Sequence, residues 1–161
     1  MTTSWQGGTF NIKDLSSGGF STLKLPELVC CEFKEETELS FKEKTYWKPK
    51  DRNYPAIDSA ISLASCGEWD ACALQMTVNY NHGIIRHYIE KHLKQFGISP
   101  NHSEVRKRIL PLFFVVPSDR FEDFTAQNYL TNKLESTNSS RTLVDDCIKQ
   151  FALEVSFLKS A

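Results

Sequence analysis

Excess charge of either sign is missing from this sequence: 19 Lys and Arg stand against 20 Asp and Glu, leaving a net charge of −1. That balance excludes a globally basic nucleic-acid binder, although local charge remains informative. No CxxC pair occurs among the five cysteines, and Cys30 and Cys31 are adjacent, so neither a zinc knuckle nor a disulfide framework is expected. The odd cysteine count suits a reducing compartment, with Cys66 and Cys72 as small apolar fillers. Long hydrophobic runs are also absent. The longest, Ile109 to Val116, is interrupted by Pro111 and falls far short of the ~20 residues a membrane-spanning helix needs. Met1 to Phe20 is polar, without the apolar centre of a secretory leader. A soluble chain with no membrane partner is therefore expected. Ser16-Ser17-Gly18-Gly19 is not followed by Gly-Lys-Ser/Thr, so it is no phosphate loop.

What is present is an ordinary globular composition, 40% hydrophobic and 24% charged over 161 residues. That length suits one domain, which can bury about two thirds of its unfolded surface without a metal or disulfide. Residues 1–22, with paired glycines and many Ser and Thr, read as a loose arm. Leu23 to Phe41 reads as a leading helix or a solvated linker, and Trp47 to Pro55 as an irregular approach to a strand. From Tyr54 the signal sharpens. Ile57, Ser59, Ile61 and Leu63 alternate with Asp58, Ala60, Ser62 and Ala64, which predicts a strand. Ser65 to Glu68 is a turn, and Trp69 to Val78 returns as a second strand. Asn81 reads as the N-cap of a helix carrying Ile84, Ile85, Tyr88, Ile89, Leu93 and Phe96, stopped by Gly97 and Pro100. Leu110 to Val116, apolar on both faces, should be a covered central strand. Asp119 to Leu130 reads as a short helix or turn, Glu135 to Ser140 as a polar loop, and Lys149 to Phe157 as a last strand. The class is a mixed α/β sheet of the α+β kind, with helices flanking a central sheet.

Three groups of residues bear on chemistry. Asp58 and Gln75 would converge if the two strands pair in the right register, since same-face neighbours lie within about 5–8 Å. A carboxylate and an amide oxygen can serve a hard ion such as Mg²⁺ or Mn²⁺, which keeps several waters. Such an ion acidifies water and neutralises phosphodiester charge; a turn cap is the plainer role for Asp58. Secondly, residues 82–108 hold Arg86, Lys91, Lys94, Arg106, Lys107 and Arg108 against two acids. That window has a net charge of +4 and could meet a phosphate backbone, or be a solvated helix face and basic loop. Thirdly, His82, His87 and His92 are spaced by five and do not share a helix face. His82, just beyond the Gln75 and Thr77 strand, could carry a proton or contact phosphate, or lie on the surface.

Four ordered blocks are similar to the C-terminal region of Crinkler effectors and retrotransposon-hot-spot proteins. They are Tyr54-Pro-Ala-Ile-Asp-Ser-Ala-Ile61, Ala73-Leu-Gln-Met-Thr-Val-Asn-Tyr-Asn-His-Gly-Ile84, Leu110-Pro-Leu-Phe-Phe-Val-Val-Pro-Ser-Asp-Arg-Phe121 and Ile148-Lys-Gln-Phe-Ala-Leu-Glu-Val155. The resemblance runs from about Trp47 to Phe157. It leaves residues 1–46 unmatched, as an N-terminal arm and possible leading helix, and implies a restriction-endonuclease-like domain of the PD-(D/E)XK type over 47–161, with DNA as substrate. By position Asp58 would be the metal-binding aspartate, Gln75 the second-motif acid and Thr77 the usual lysine, with His82 in a polar extension. Gln75-x-Thr77 departs from Glu-x-Lys and removes a ligand charge and an ammonium that would stabilise the reacting oxygens. Two functions follow from the resemblance: a secreted effector domain that hydrolyses DNA with Mg²⁺ in the host nucleus, or a catalytically silent module binding host protein or DNA. Homodimerisation is compatible with either.

Overall fold

The computed structural model describes residues 3–40, 42–64, 67–130 and 143–156. Its strands are β1 (Ser4–Trp5), β2 (Gly8–Asp14), β3 (Phe20–Leu25), β4 (Leu28–Phe33), β5 (Thr45–Pro49), β6 (Ser59–Ser62), β7 (Ala71–Met76), β8 (Ile84–Ile85), β9 (Leu110–Pro117), β10 (Tyr129–Leu130) and β11 (Ile148–Val155). The α-helices are α1 (Arg86–Gln95), α2 (Ser118–Phe121) and α3 (Leu143–Cys147). Nine strands make one mixed sheet in the order β1-β4-β5-β6-β7-β9-β11-β2-β3, while β8 and β10 form a separate parallel pair.

That order forces the sheet to curl. β3 and β4 lie seven strand positions apart, which in a flat sheet is about 34 Å at ~4.8 Å per strand. Yet only Pro26 and Glu27 separate Leu25 from Leu28, and three Cα steps span at most about 11 Å. The same holds for β1 and β2, joined through Gln6 and Gly7. The two ends of the sheet must therefore come round to each other. The ring of Trp5 on β1 stacks on that of Phe10 on β2 with centroids 5.7 Å apart, across this seam.

Curling gives the sheet an inside and an outside with separate cores. Inside, Ile12, Leu25, Leu28, Ile61, Leu74, Phe113, Phe151 and Leu153 pack together from strands along the whole sheet. Phe113 stacks on Phe151 at 5.0 Å, and Trp69 leans on both rings. Outside, the helices supply cover: Ile89 and Leu93 of α1, Phe121 of α2 and Val144 and Cys147 of α3 pack over Ala60, Ala73, Leu112, Phe114 and Ala152. The alanines at 60 and 73, opposite each other in the β6–β7 ladder, leave room for that layer. β9 lies between β7 and β11 and is parallel to both, so its apolar character on both faces follows from cover on both. α1 ends where expected, with Gly97 at φ +68 and the Phe96 N–H returned to the His92 carbonyl. Among the described residues no helix is long and apolar enough to cross a membrane.

Several expectations are corrected. Residues 1–46 are not an arm and a leading helix set apart from 47–161. β1 to β4 belong to the same sheet, β2 pairing with β11 and β4 with β5. Glycines and exposed charges had masked an alternation (Phe10, Ile12 against Asn11, Lys13) that only long-range pairing makes use of. Trp47 to Pro49 is part of β5, paired with both β4 and β6. Asn81 does not cap α1, which begins at Arg86 after Ile85, with no side-chain cap. The mixed sheet with flanking helices is as expected, and among the described residues the helices pack over the convex face, while the concave face is covered by its own side chains. The predicted loop at Glu135 to Ser140, the cysteine at 66 and the strand end at Phe157 lie outside the described residues.

Gly7 makes the seam possible. It sits at φ +79, and a Cβ there would lie 2.5 Å from the Leu25 carbonyl oxygen and 2.7 Å from the Pro26 carbonyl. Gly7→Ala is expected to lose at least about 1–3 kcal/mol, from left-handed backbone strain alone, in urea denaturation. Gly18→Ala also has positive φ but meets nothing within 4 Å, so it should lose less.

Candidate functional site

The β6–β7 hairpin places the predicted residues at one end of the sheet. Asp58 lies one residue beyond the Ser59–Leu74 pair and therefore across from Gln75. Its N–H donates to the Leu74 carbonyl at 2.8 Å, and its Oδ2 accepts the Met76 N–H at 2.6 Å. The carboxylate thus extends the ladder one step past its last paired residues. Asp58 is exposed and lines a cleft of about 740 Å³ with Lys48 and Lys50 of the β5 end, Arg52 and Tyr54 of the following loop, and Glu32 of β4.

Gln75 turns the other way. It is buried, and its Nε2 meets His82 Nε2 at 2.6 Å, a contact that requires the imidazole nitrogen to accept. Its Oε1 is enclosed and has no hydrogen-bond partner among the described residues. His82 in turn donates its N–H to Gln127 Oε1. Gln127 Nε2 donates to the carbonyls of Tyr80 at 2.9 Å and Thr125 at 2.7 Å. Its backbone exchanges two bonds with the side chain of Gln150 on β11, at 2.7 and 3.0 Å. Burial raises the Tyr129 hydroxyl above the usual phenol range, against a lowering hydrogen bond from Gln150. Thr77 is buried at the end of β7. Its N–H donates to the Val115 carbonyl at 3.1 Å and its Oγ1 accepts the Asn79 N–H at 3.1 Å. Asp58, Gln75, Thr77 and His82 are thus brought to one end of the hairpin, but their side chains are spent on different partners.

Mg²⁺ was expected between Asp58 and Gln75, and the donor geometry does not fit it. Asp58 opens onto the cleft with one oxygen shared with a backbone N–H, whereas the Gln75 amide is enclosed against His82. A hydrated Mg²⁺ needs carboxylate oxygens with space around them. Among the described residues no three His, Cys, Asp or Glu side chains come together as a ligand set. The one thiol among the described residues of this hairpin, Cys72, is buried, and burial pushes it up to about 12.

The predicted phosphate contacts divide. Lys91 and Lys94 are exposed on α1. Arg86 lies 3.8 Å from Asp145 and over the Tyr129 ring, with its side chain 14% exposed. Arg106 and Lys107 both reach Asp70, at 3.7 and 3.5 Å. Arg108 donates to the carbonyls of His102 and Ser103. Half of the charge in that window is therefore committed to holding the chain between α1 and β9. The histidines are dispersed: His87 is exposed, His92 is buried with Nε2 3.1 Å from the Pro55 carbonyl, and His102 Nδ1 accepts the Glu104 N–H.

Sequence reasoning passed over the segment that contributes most of the cleft: Tyr46, Lys48, Lys50, Asp51 and Arg52 line it, within a stretch that also holds Lys42, Lys44 and Trp47. Basic residues interleaved with aromatic ones were the available signal. No protein-family model matches the chain, and neither a curated protein nor a solved structure is found to be similar to it.

Gln127→Ala should remove the partner of the part-buried His82 N–H and the amide that ties the Tyr80 and Thr125 carbonyls together. A loss of about 1–3 kcal/mol is expected in chemical denaturation, the usual cost of orphaned buried groups. Asn128→Ala, one residue along at an exposed position, should lose much less.

Proposed function

We propose that the chain is a nucleic-acid-binding module of restriction-endonuclease-like type that holds a DNA strand in the Asp58 cleft without cutting it. The observation that carries this reading is the convergence of Lys48, Lys50 and Arg52 on one cleft at the open end of the β6–β7 hairpin. A mixed sheet is what the resemblance to Crinkler and retrotransposon-hot-spot domains implies, and it supports the reading. The silent form of that activity is favoured because Gln75 and His82 hold each other and Thr77 folds its own turn. No ammonium stands at position 77, where the resemblance would put one.

Phosphate oxygens would lie against the two lysines and the arginine, and the half-buried Tyr46 on the same wall offers a ring face to a base. Glu32, Asp51 and Asp58 share the cleft, so the grip is modest and weakens steeply with salt. Read with the resemblance, the module acts as a secreted effector in a host cell, at DNA in its nucleus, as a monomer or a homodimer. A host protein as partner is the second reading. It is favoured by Met76 on the cleft wall and by Val78 and Tyr80, large apolar side chains that are exposed just after it in the chain.

Fluorescence anisotropy with labelled single- and double-stranded oligonucleotides tests the first reading. Binding should fall with salt, and Lys50→Glu and Arg52→Glu should each lower the log–log salt slope by about one. Asp58→Asn keeps an acceptor for the Met76 N–H and should bind DNA at least as well as wild type. No product should form with Mg²⁺ or Mn²⁺. Metal-dependent cleavage that disappears in Asp58→Asn would make the chain a nuclease instead, and no anisotropy change at low salt would leave the protein-partner reading.

A further inference from the structure

The concave face of the curled sheet keeps a half-open apolar pocket. It has a volume of about 320 Å³ and lies between the two ends of the sheet, walled by Trp5 and Phe10 at the seam. Its floor is Leu74, Val115 and Leu153, from β7, β9 and β11. That is room for roughly ten waters at ~30 Å³ each. Its volume falls within the range of small-molecule sites, ~300–1,000 Å³. No Asp, Glu, Lys, Arg or His lines it. Ordered water gains little in such a space, because water needs polar partners.

The cavity has one polar side. Tyr46 and Met76 line both it and the Asp58 cleft, so the two spaces share a rim. Met76 is 54% exposed there, an unbranched thioether that can adapt to what passes it. A molecule seated among Trp5, Leu74 and Leu153 would have its apolar body enclosed by hydrocarbon and its polar end beside the Tyr46 hydroxyl and the charged cleft.

We infer that this cavity binds one uncharged, largely hydrocarbon molecule of about ten heavy atoms, with its polar end at the Tyr46–Met76 rim. The volume sets the size, at about ten units of ~30 Å³. The absence of a charged lining residue excludes a buried ionic end, since an unpaired charge would be placed among apolar side chains. This site shares Tyr46 and Met76 with the cleft, but its apolar lining is a different observation and does not depend on the nucleic-acid reading.

Titration of the full chain with 1-decanol, followed by calorimetry and tryptophan fluorescence, tests the inference. Wild type should take up one equivalent, with a change in emission that is absent in Trp5→Phe. Val115→Trp fills the cavity from its floor and should weaken binding at least tenfold at an unchanged melting temperature. If Val115→Trp does not fold, Leu153→Phe makes the same test with a smaller increase in volume. Lys50→Glu, which removes a DNA contact, should titrate with decanol as wild type does and so separates the two sites. No uptake by wild type would overturn the inference. So would equal affinity in a folded, cavity-filled variant, or an emission change that survives Trp5→Phe.

Discussion

The structure depends on one geometric constraint: strands at opposite ends of a nine-stranded sheet are joined by two-residue links. A flat sheet would tear at Pro26-Glu27 and at Gln6-Gly7, so the sheet curls until its ends meet. The rest follows in order. A curled sheet has a concave face that only its own side chains can cover, which is why Phe113, Phe151 and Trp69 cluster there. It has a convex face that needs helices, which is why α1 and the short helices carry their apolar residues toward Ala60, Ala73 and Leu112. Where the two ends of the sheet meet, a half-open apolar pocket remains at the seam.

The same curl determines what the β6–β7 hairpin can do. Its open end lies at the mouth of the sheet, where the end of β5 contributes Lys48 and Lys50 on one side. On the other side Gln75 reaches His82 and so joins a chain of amides running through Gln127 to Gln150 on β11. In a low-dielectric setting such a chain fixes loop positions well, because each missing bond leaves a buried group unsatisfied. A residue held that way is poorly placed to meet a hydrated ion. The hairpin therefore separates into a solvent-facing charged edge, suited to a phosphate backbone, and an enclosed amide network, suited to holding the loops behind it.

Some of this was legible in the sequence. The alternation at 57–64 and 69–78, the doubly apolar β9 and the Gly97 stop each depend on nearest neighbours, and each appears in the structure where expected. The opposition of Asp58 and Gln75 was also readable, because a hairpin's register is local. What could not be read depends on distant partners. β2 is a strand because β11 pairs with it, about 140 residues along the chain, and β4 because β5 and β1 flank it. The start of α1 is displaced from Asn81 because Ile84 and Ile85 pair with Tyr129 and Leu130. Gln75 belongs to an amide network only because Gln127 and Gln150 come from other elements. Asp70, far away in sequence, reaches both Arg106 and Lys107, a pairing that charge in the local window could not show.

The central claim is that the charged edge beside Asp58, rather than the basic window after it, meets nucleic acid. Amide chemical-shift mapping of the labelled protein with a short DNA strand at low salt addresses it directly. Perturbations confined to residues 46–54, Asp58 and Met76 are the expected result. Perturbations centred on Lys91, Lys94 and the 106–108 segment, with the cleft unmoved, would contradict it.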